Sequence, residues 1–177
     1  MSYNKSMEVG NMQKNHSAGT SLNQIPSLHR KLAEKGLLGK TNFDNGAGKY
    51  TKATDFLKSI GVTNVRFDPY NLPKEVNEES NAFIGMCDTS TCANVLNVIK
   101  EDEAKEEVLE HSKAMLKTGG VLYISVYEGD RTSIGKESKN GCWQENKKLK
   151  EYLTIVESVF GNAEMKYGMI IARKVAR

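Results

Sequence analysis

Between Asn42 and Thr51 the chain reads Asn-Phe-Asp-Asn-Gly-Ala-Gly-Lys-Tyr-Thr, and this stretch restricts the fold more than any other. An apolar residue runs into an acid, then into two glycines one residue apart. Beyond them Ala53, Phe56, Leu57 and Ile60 recur at helical spacing. The pattern predicts a strand at Thr41-Asn42-Phe43, a tight turn, and a helix from Lys49 to Ile60. Glycine suits such a turn because the backbone must bend sharply and let a ligand approach with no Cβ in the way. The start of the helix then offers its unpaired N–H groups to that ligand.

In nucleotide-binding βαβ units an acid about 20 residues beyond the glycines accepts hydrogen bonds from ribose hydroxyls. Asp68 stands at that spacing from Gly48, at the end of Asn64-Val65-Arg66-Phe67. A dinucleotide site would read G-x-G-x-x-G, whereas the third position here is Thr51. Asp44, two residues before the first glycine, would also repel a pyrophosphate. Both residues argue against an oxidoreductase using a nicotinamide cofactor. A cationic ligand fits Asp44 better, such as S-adenosylmethionine (SAM) with its ammonium and sulfonium groups.

Asp44-Asn45-Gly46-Ala47-Gly48, Phe67-Asp68-Pro69-Tyr70 and Asn94-Val95-Leu96-Asn97-Val98-Ile99 resemble successive motifs of class I SAM-dependent methyltransferases. More narrowly, they resemble a small group found in phage and in bacterial DNA-modification neighbourhoods. The resemblance runs from Ser27 to Lys174. It implies an α/β fold with a Rossmann-like class I methyltransferase sheet, mostly parallel with an antiparallel C-terminal strand. It also implies SAM as cofactor, S-adenosylhomocysteine (SAH) as product, and Asp44, Gly46, Ala47, Gly48, Asp68, Pro69 and Asn94 as cofactor-binding residues. Asp44 would hold the methionyl amine, directly or through water, and Asp68 the ribose. The span from Asp68 to the next strand near Thr89 is too short for a full helix, strand and turn. The third strand of the usual sheet is therefore expected to be reduced or absent, with Ala82–Met86 as its remnant or as a loop over the adenine.

Phe67-Asp68-Pro69-Tyr70 also invites comparison with the D-P-P-Y motif of amino-methylating DNA enzymes. One proline is missing and the motif follows the second strand, so a ribose site with a turn is the better reading. A target group would sit at the end of the fourth strand. There the sequence offers Asn94 and Asn97, the candidate catalytic residues, which could equally be turn-forming or capping amides. Methyl transfer from an activated donor needs mainly positioning, so the lack of an obvious base does not exclude it. That lack does support an alternative, a SAM-binding regulator or partner protein without transferase activity.

The chain has 177 residues, enough for one domain with a real core. Residues 25–177 are assigned to it, and 1–24 to a polar N-terminal segment. That segment is a frayed terminus or, as the resemblance implies, a lid over the cofactor with Tyr3, His16 and Thr20 as contacts. A net charge of +3 is too small to argue for nucleic acid by itself. Three cysteines without C-x-x-C spacing read as reduced thiols, with no metal site. No apolar run approaches membrane length and residues 1–24 lack a signal-peptide core, so a cytoplasmic protein with no membrane partner is expected.

Further along, Ser27 is a plausible cap for a helix whose buried side carries Leu28 and Leu32. Lys100–Glu103 opens another helix that Gly119-Gly120 should stop, and Val121–Tyr127 is the clearest strand. His111 is placed on a helix flank, Cys92 in the core, and His29 has no evident partner. Trp143 to Val159 returns to helical spacing. The end of the chain reads by periodicity as one or two strands, and the resemblance implies a hairpin over Ala163–Lys166, Tyr167-Gly168 and Met169–Arg173. Six cations against three acids between Asp130 and Lys150, with Trp143 among them, suggest an anionic substrate. Trp143 and Lys147 are the substrate-binding candidates, and the acceptor stays open between nucleic acid and a small molecule. A solvated helix face would explain the same charges.

Overall fold

The computed structural model describes residues 17–177. Its main sheet is built from β1 (Thr41–Asn45), β2 (Thr63–Phe67), β3 (Cys87–Ala93), β4 (Leu116–Ser125), β7 (Glu164–Lys166) and β8 (Met169–Arg173). The spatial order is β2-β1-β3-β4-β8-β7. The four strands from β2 to β4 run parallel. β8 lies antiparallel to β4, and β7 antiparallel to β8. A separate short hairpin pairs β5 (Lys136–Glu137) with β6 (Trp143–Gln144). This is an α/β architecture with a mostly parallel Rossmann-like sheet and antiparallel C-terminal strands.

The sheet is covered on both faces because successive strand residues point to opposite sides. On β4, Leu122 and Ile124 enter the larger core with Phe43, Phe67 and Val156, while Val121 and Tyr123 join Leu28, Leu32 and Met169 in a smaller one. The larger core lies under α4 (Asp102–Met115) and α5 (Leu153–Phe160), the smaller under α1 (Ser27–Glu34). Fully burying a side chain such as Leu122 or Ile124 contributes about 1.5–3 kcal/mol each.

Among the described residues the sheet ends at β2. The chain there forms α3 (Lys74–Glu79) and a 3-10 turn over Ser80–Phe83 in place of a further strand. Ala82–Met86 is thus neither a strand remnant nor a loop over the cleft described below. Other boundaries also differ from expectation; the helix after the glycine turn, α2, spans Lys52–Ser59. Ser27 is the first residue of α1, with Pro26 in the cap position. β4 starts at Leu116, and Gly119 and Gly120 exchange backbone hydrogen bonds with Lys174 instead of stopping a helix. Trp143-Gln144 is the strand β6; helix begins only after a 3-10 turn at Leu149–Tyr152. His111 is buried on α4, its ring edge-on to Phe43 and Phe67 at 4.9 and 4.4 Å between centroids. None of the helices among the described residues is long and apolar enough to cross a membrane.

Candidate functional site

From β1 the chain winds to β2 on one side, then crosses back to β3 on the other. Where strand order reverses in this way, the connections part and leave a crevice at the carboxyl ends of the strands. A cavity of about 890 Å³ opens there. Its wall includes the Gly46-Ala47-Gly48 turn, Asp68, Pro69, Asn94, Asn97 and Trp143. Nearly all the candidate residues are thus brought together; Asp44 and Lys147 are not.

The turn depends on glycine at two places. Gly46 and Gly48 have φ of +76° and +71°, which side-chain-bearing residues rarely adopt. A Cβ on Gly46 would stand 2.3 Å from Val95 Cγ2, and one on Gly48 2.4 Å from Ser21 Oγ. The glycines admit close approach of the chain's own residues as well as a ligand. The turn is also pinned to β2: the Gly46 and Ala47 N–H groups donate to the Phe67 carbonyl at 2.8 and 3.0 Å.

Asp68 completes that link. Its Oδ2 accepts from the Gly48 N–H at 2.9 Å, and its Oδ1 from the N–H groups of Tyr70 and Asn71 at 3.0 Å each. The Asn71 amide reaches both oxygens at 3.1 Å. Asn77 on α3 fixes the residue's backbone from both sides, accepting from the Asp68 N–H at 2.8 Å and donating to its carbonyl at 3.1 Å. Neither Asn71 nor Asn77 was singled out in the sequence, although Asp is a residue type whose side chain bonds the backbone two residues on, as Asp68 does at Tyr70. Tyr70, on the same wall, has its hydroxyl pKa raised by burial and by the charges of Glu101 and Asp68.

Asp44 requires a correction. It does not line the cleft, and its carboxylate points to the opposite face of the sheet, where it is closed to solvent. There it meets His29 Nε2 at 3.2 Å and accepts from Thr91 Oγ1 and Asn64 Nδ2, each at 3.1 Å. The strand alternation that puts Asn45 on the cleft side sends Asp44 away from it. The charge argument against a pyrophosphate therefore fails, and Thr51 alone still speaks against a dinucleotide motif. His29, left without a partner by the sequence, is the partner of Asp44.

Asn94 follows β3 with φ of +58°, in the left-handed region that Asn tolerates. Asn97 is buried; its Nδ2 donates to Gln144 Oε1 at 3.1 Å, while its Oδ1 has no partner. Trp143 Nε1 likewise has none, and the Lys100 ammonium lies 4.7 Å from the ring. Lys147 faces a second, smaller cavity beside Asp102 and Lys105, and its ammonium is 3.6 Å from Glu145. Other cations of this stretch are also paired: Lys136 with Asp130 at 3.1 Å and Arg131 with Glu128 at 3.4 Å. Hydrogen bonds from Thr132, then the Lys136 ammonium, hold the Asp130 carboxyl down at about 2.

Residues between Ser17 and Gln24 form one wall of the cleft, Thr20 among them. Ser21 Oγ accepts from the Lys49 N–H at 3.0 Å, and Cys142 Sγ lies 3.6 Å from the Ala18 carbonyl. Tyr3 and His16 lie outside the described residues.

No protein-family model matches the sequence, and no curated protein matches it. Solved structures do resemble the fold. One is the 1,6-didemethyltoxoflavin-N1-methyltransferase of Burkholderia thailandensis, which binds 1,6-didemethyltoxoflavin and SAH. It has a TM-score of 0.63 and 15% identity over 85% of this chain and 80% of that one. A SAM-dependent methyltransferase of Methanosarcina mazei gives 0.61 and 12%, over 82% and 98%. Human N-acetylserotonin methyltransferase, in complex with SAM, gives 0.55 and 18%, over 77% and 48%. Identities this low speak for architecture alone: the chain has the Rossmann-like fold that class I SAM-dependent methyltransferases share.

Proposed function

We propose that the protein is a SAM-dependent methyltransferase that passes a methyl group from SAM to an acceptor bound in the same cleft. The observation that carries this is the cleft at the strand-order reversal, with the Gly46–Gly48 turn hydrogen-bonded to Asp68 on its wall. A volume of about 890 Å³ fits a nucleoside-sized cofactor with a second small molecule. When bound, SAM supplies a methyl group already activated by a positive sulfur.

The protein's part is to hold and orient. Asp68 accepts hydrogen bonds from the ribose hydroxyls; the Asn71 amide, which touches both of its oxygens, is the donor that swings aside. The glycine turn and Pro69 shape the bed around it, and Asn94, which also lines the cleft, is assigned to the junction of its cofactor and acceptor halves. Asp44 supports the site by fixing β1 rather than by touching the methionyl amine. Asn97 faces the acceptor half, where holding the acceptor in line supplies much of the acceleration. The narrower likeness to a phage and DNA-modification group rests on the three motifs alone and leaves the acceptor open.

A second reading, a SAM-binding regulator without transferase activity, is favoured by one observation. Among the described residues that line the cleft beyond Asn94, none is Asp, Glu, His or Lys. Calorimetric titration with SAM, SAH and NAD tests the shared premise; tight NAD binding with no response to SAM would sink both. Incubation with methyl-labelled SAM and fractions of DNA, RNA and small molecules then separates the two. Label in any acceptor supports the enzyme, and binding without transfer supports the regulator.

A further inference from the structure

We infer that the acceptor is a small, neutral, planar molecule carrying both a hydrogen-bond donor and an acceptor, with no carboxylate or phosphate; this rests on the methyltransferase reading above. The acceptor half is assigned to the lining that follows Asn94 in the chain, which includes the amides of Asn97 and Gln144, the indole of Trp143, and Val126 and Tyr127. Among the described lining residues only Arg30 and Asp68 are charged, and both belong to the other half, on α1 and just after β2.

Among the described residues, an anion entering the acceptor half would meet no lining cation. Arg131, Lys136 and Lys147 are held by Glu128, Asp130 and Glu145, Lys139, Lys148 and Lys150 lie outside the lining, and the Lys100 ammonium sits 4.7 Å from the centroid of the Trp143 ring. A buried carboxylate or phosphate without a paired cation is strongly disfavoured. A polynucleotide fits no better, because its affinity comes largely from cations set against its phosphates. The basic run in the sequence therefore does not describe the chemistry of the cleft.

What this half does offer is neutral and directional. The Asn97 amide donates to Gln144, and the Gln144 amide donates to the Tyr127 carbonyl at 3.0 Å, so the amides stand in a fixed chain. Two buried atoms on these side chains lack partners, the acceptor Asn97 Oδ1 and the donor Trp143 Nε1–H. Unpaired buried polar atoms are costly. Both atoms are closed to solvent, so a ligand reaches them by turning the Asn97 amide and the indole toward itself; bringing a donor to one and an acceptor to the other then repairs both, and a flat ring packs against the indole.

The test uses the full chain, saturated with SAH, and matched ligand pairs differing by one carboxylate: nicotinamide with nicotinate, and uracil with orotate. Binding is followed by ligand-observed NMR, with a short single-stranded oligonucleotide as a third arm. The neutral member should bind at least about tenfold tighter in one or both pairs, a difference readily resolved in such titrations. Trp143→Phe keeps the ring, loses the N–H, and should weaken that binding several-fold. Tyr127→Lys, at an exposed position on the cleft rim, should move the preference toward the acid. Equal or tighter binding of the acids, tight binding of the oligonucleotide, or no binding of any neutral member overturns the inference. Failure of SAH itself to bind would remove the methyltransferase reading instead. The same pairs, measured without SAH, would then still report the charge preference of this half.

Discussion

The Nε2 atom of His29, on α1, stands 3.2 Å from Oδ1 of Asp44, on β1, with both side chains closed to solvent. Burial alone would raise the Asp44 carboxyl, but the charge and hydrogen bond of His29, with those of Asn64 and Thr91, hold it below 3.8. A carboxyl whose pKa falls on folding stabilises the native state above its unfolded value, and that contribution is lost as pH drops through the folded one. The pair ties the helix that follows the cleft-covering segment to the strand that ends in the glycine turn. Removing one member of a buried pair costs about 3–5 kcal/mol, and Asp44→Ala should lose stability on that scale in urea denaturation. The SAH affinity of the folded fraction should barely change. A large loss of affinity at normal stability would mean that Asp44 reaches the ligand after all.

His111 makes a second contribution that depends on pH, of opposite origin. Burial against Phe43 and Phe67 depresses its imidazole from 6.5 to about 4. Between those values the unfolded chain binds a proton that the folded one refuses, so stability falls as pH falls. At 1.36 kcal/mol per unit the loss between pH 7 and pH 5 is about 2 kcal/mol. His111→Phe should flatten the denaturation profile over that interval. An unchanged slope would mean that the histidine is not the group responsible.

The sequence was most legible where local chemistry decides. The terminal hairpin was read within a residue with the help of the resemblance: Met169–Arg173 is strand-forming by itself, Glu164–Lys166 is not, and Tyr167 and Gly168, with φ of +56° and +70°, make the turn that pairs them. The missing outer strand was legible from the short span between Asp68 and Thr89, set against the sheet that the resemblance implies. What it could not reveal was which way a side chain faces. Asp44 lies beside the glycine turn in sequence but points through the sheet, and nothing local distinguishes those two faces. His111 falls three residues after Val108 and four before Met115, both buried, so its spacing put it inside while its polarity argued otherwise. The cation run near Trp143 failed for a related reason: composition counts charges without showing which are already paired.

Asp68 and Asn71 should separate in their effects on the cofactor. Asp68 is the acceptor at the cleft wall, and loss of hydrogen bonds from a charged group costs about 1.5–3 kcal/mol, or roughly ten- to a hundredfold in affinity. Calorimetry on Asp68→Asn should show SAH affinity reduced to that extent. Asn71→Ala removes the internal donor that occupies both carboxylate oxygens, so SAH should bind as well as before or somewhat better. If both variants weaken binding equally, the Asn71 amide is part of the ligand site and not its stand-in.

Gly48 links the turn to the segment that covers the cleft. A side chain there must adopt a left-handed conformation, about 1–2 kcal/mol unfavourable, and its Cβ would displace Ser21 Oγ, which accepts the Lys49 N–H. Gly48→Ala should therefore loosen residues 17–24 from the turn. Hydrogen exchange followed by mass spectrometry should show faster exchange there, with the sheet strands unchanged, and SAH should dissociate faster. Ser21→Ala removes only the acceptor, a hydrogen bond of about 1 kcal/mol, and should produce the same change in exchange to a smaller degree. Unaltered exchange in both variants would mean that the segment is held elsewhere, through contacts such as that between Ala18 and Cys142.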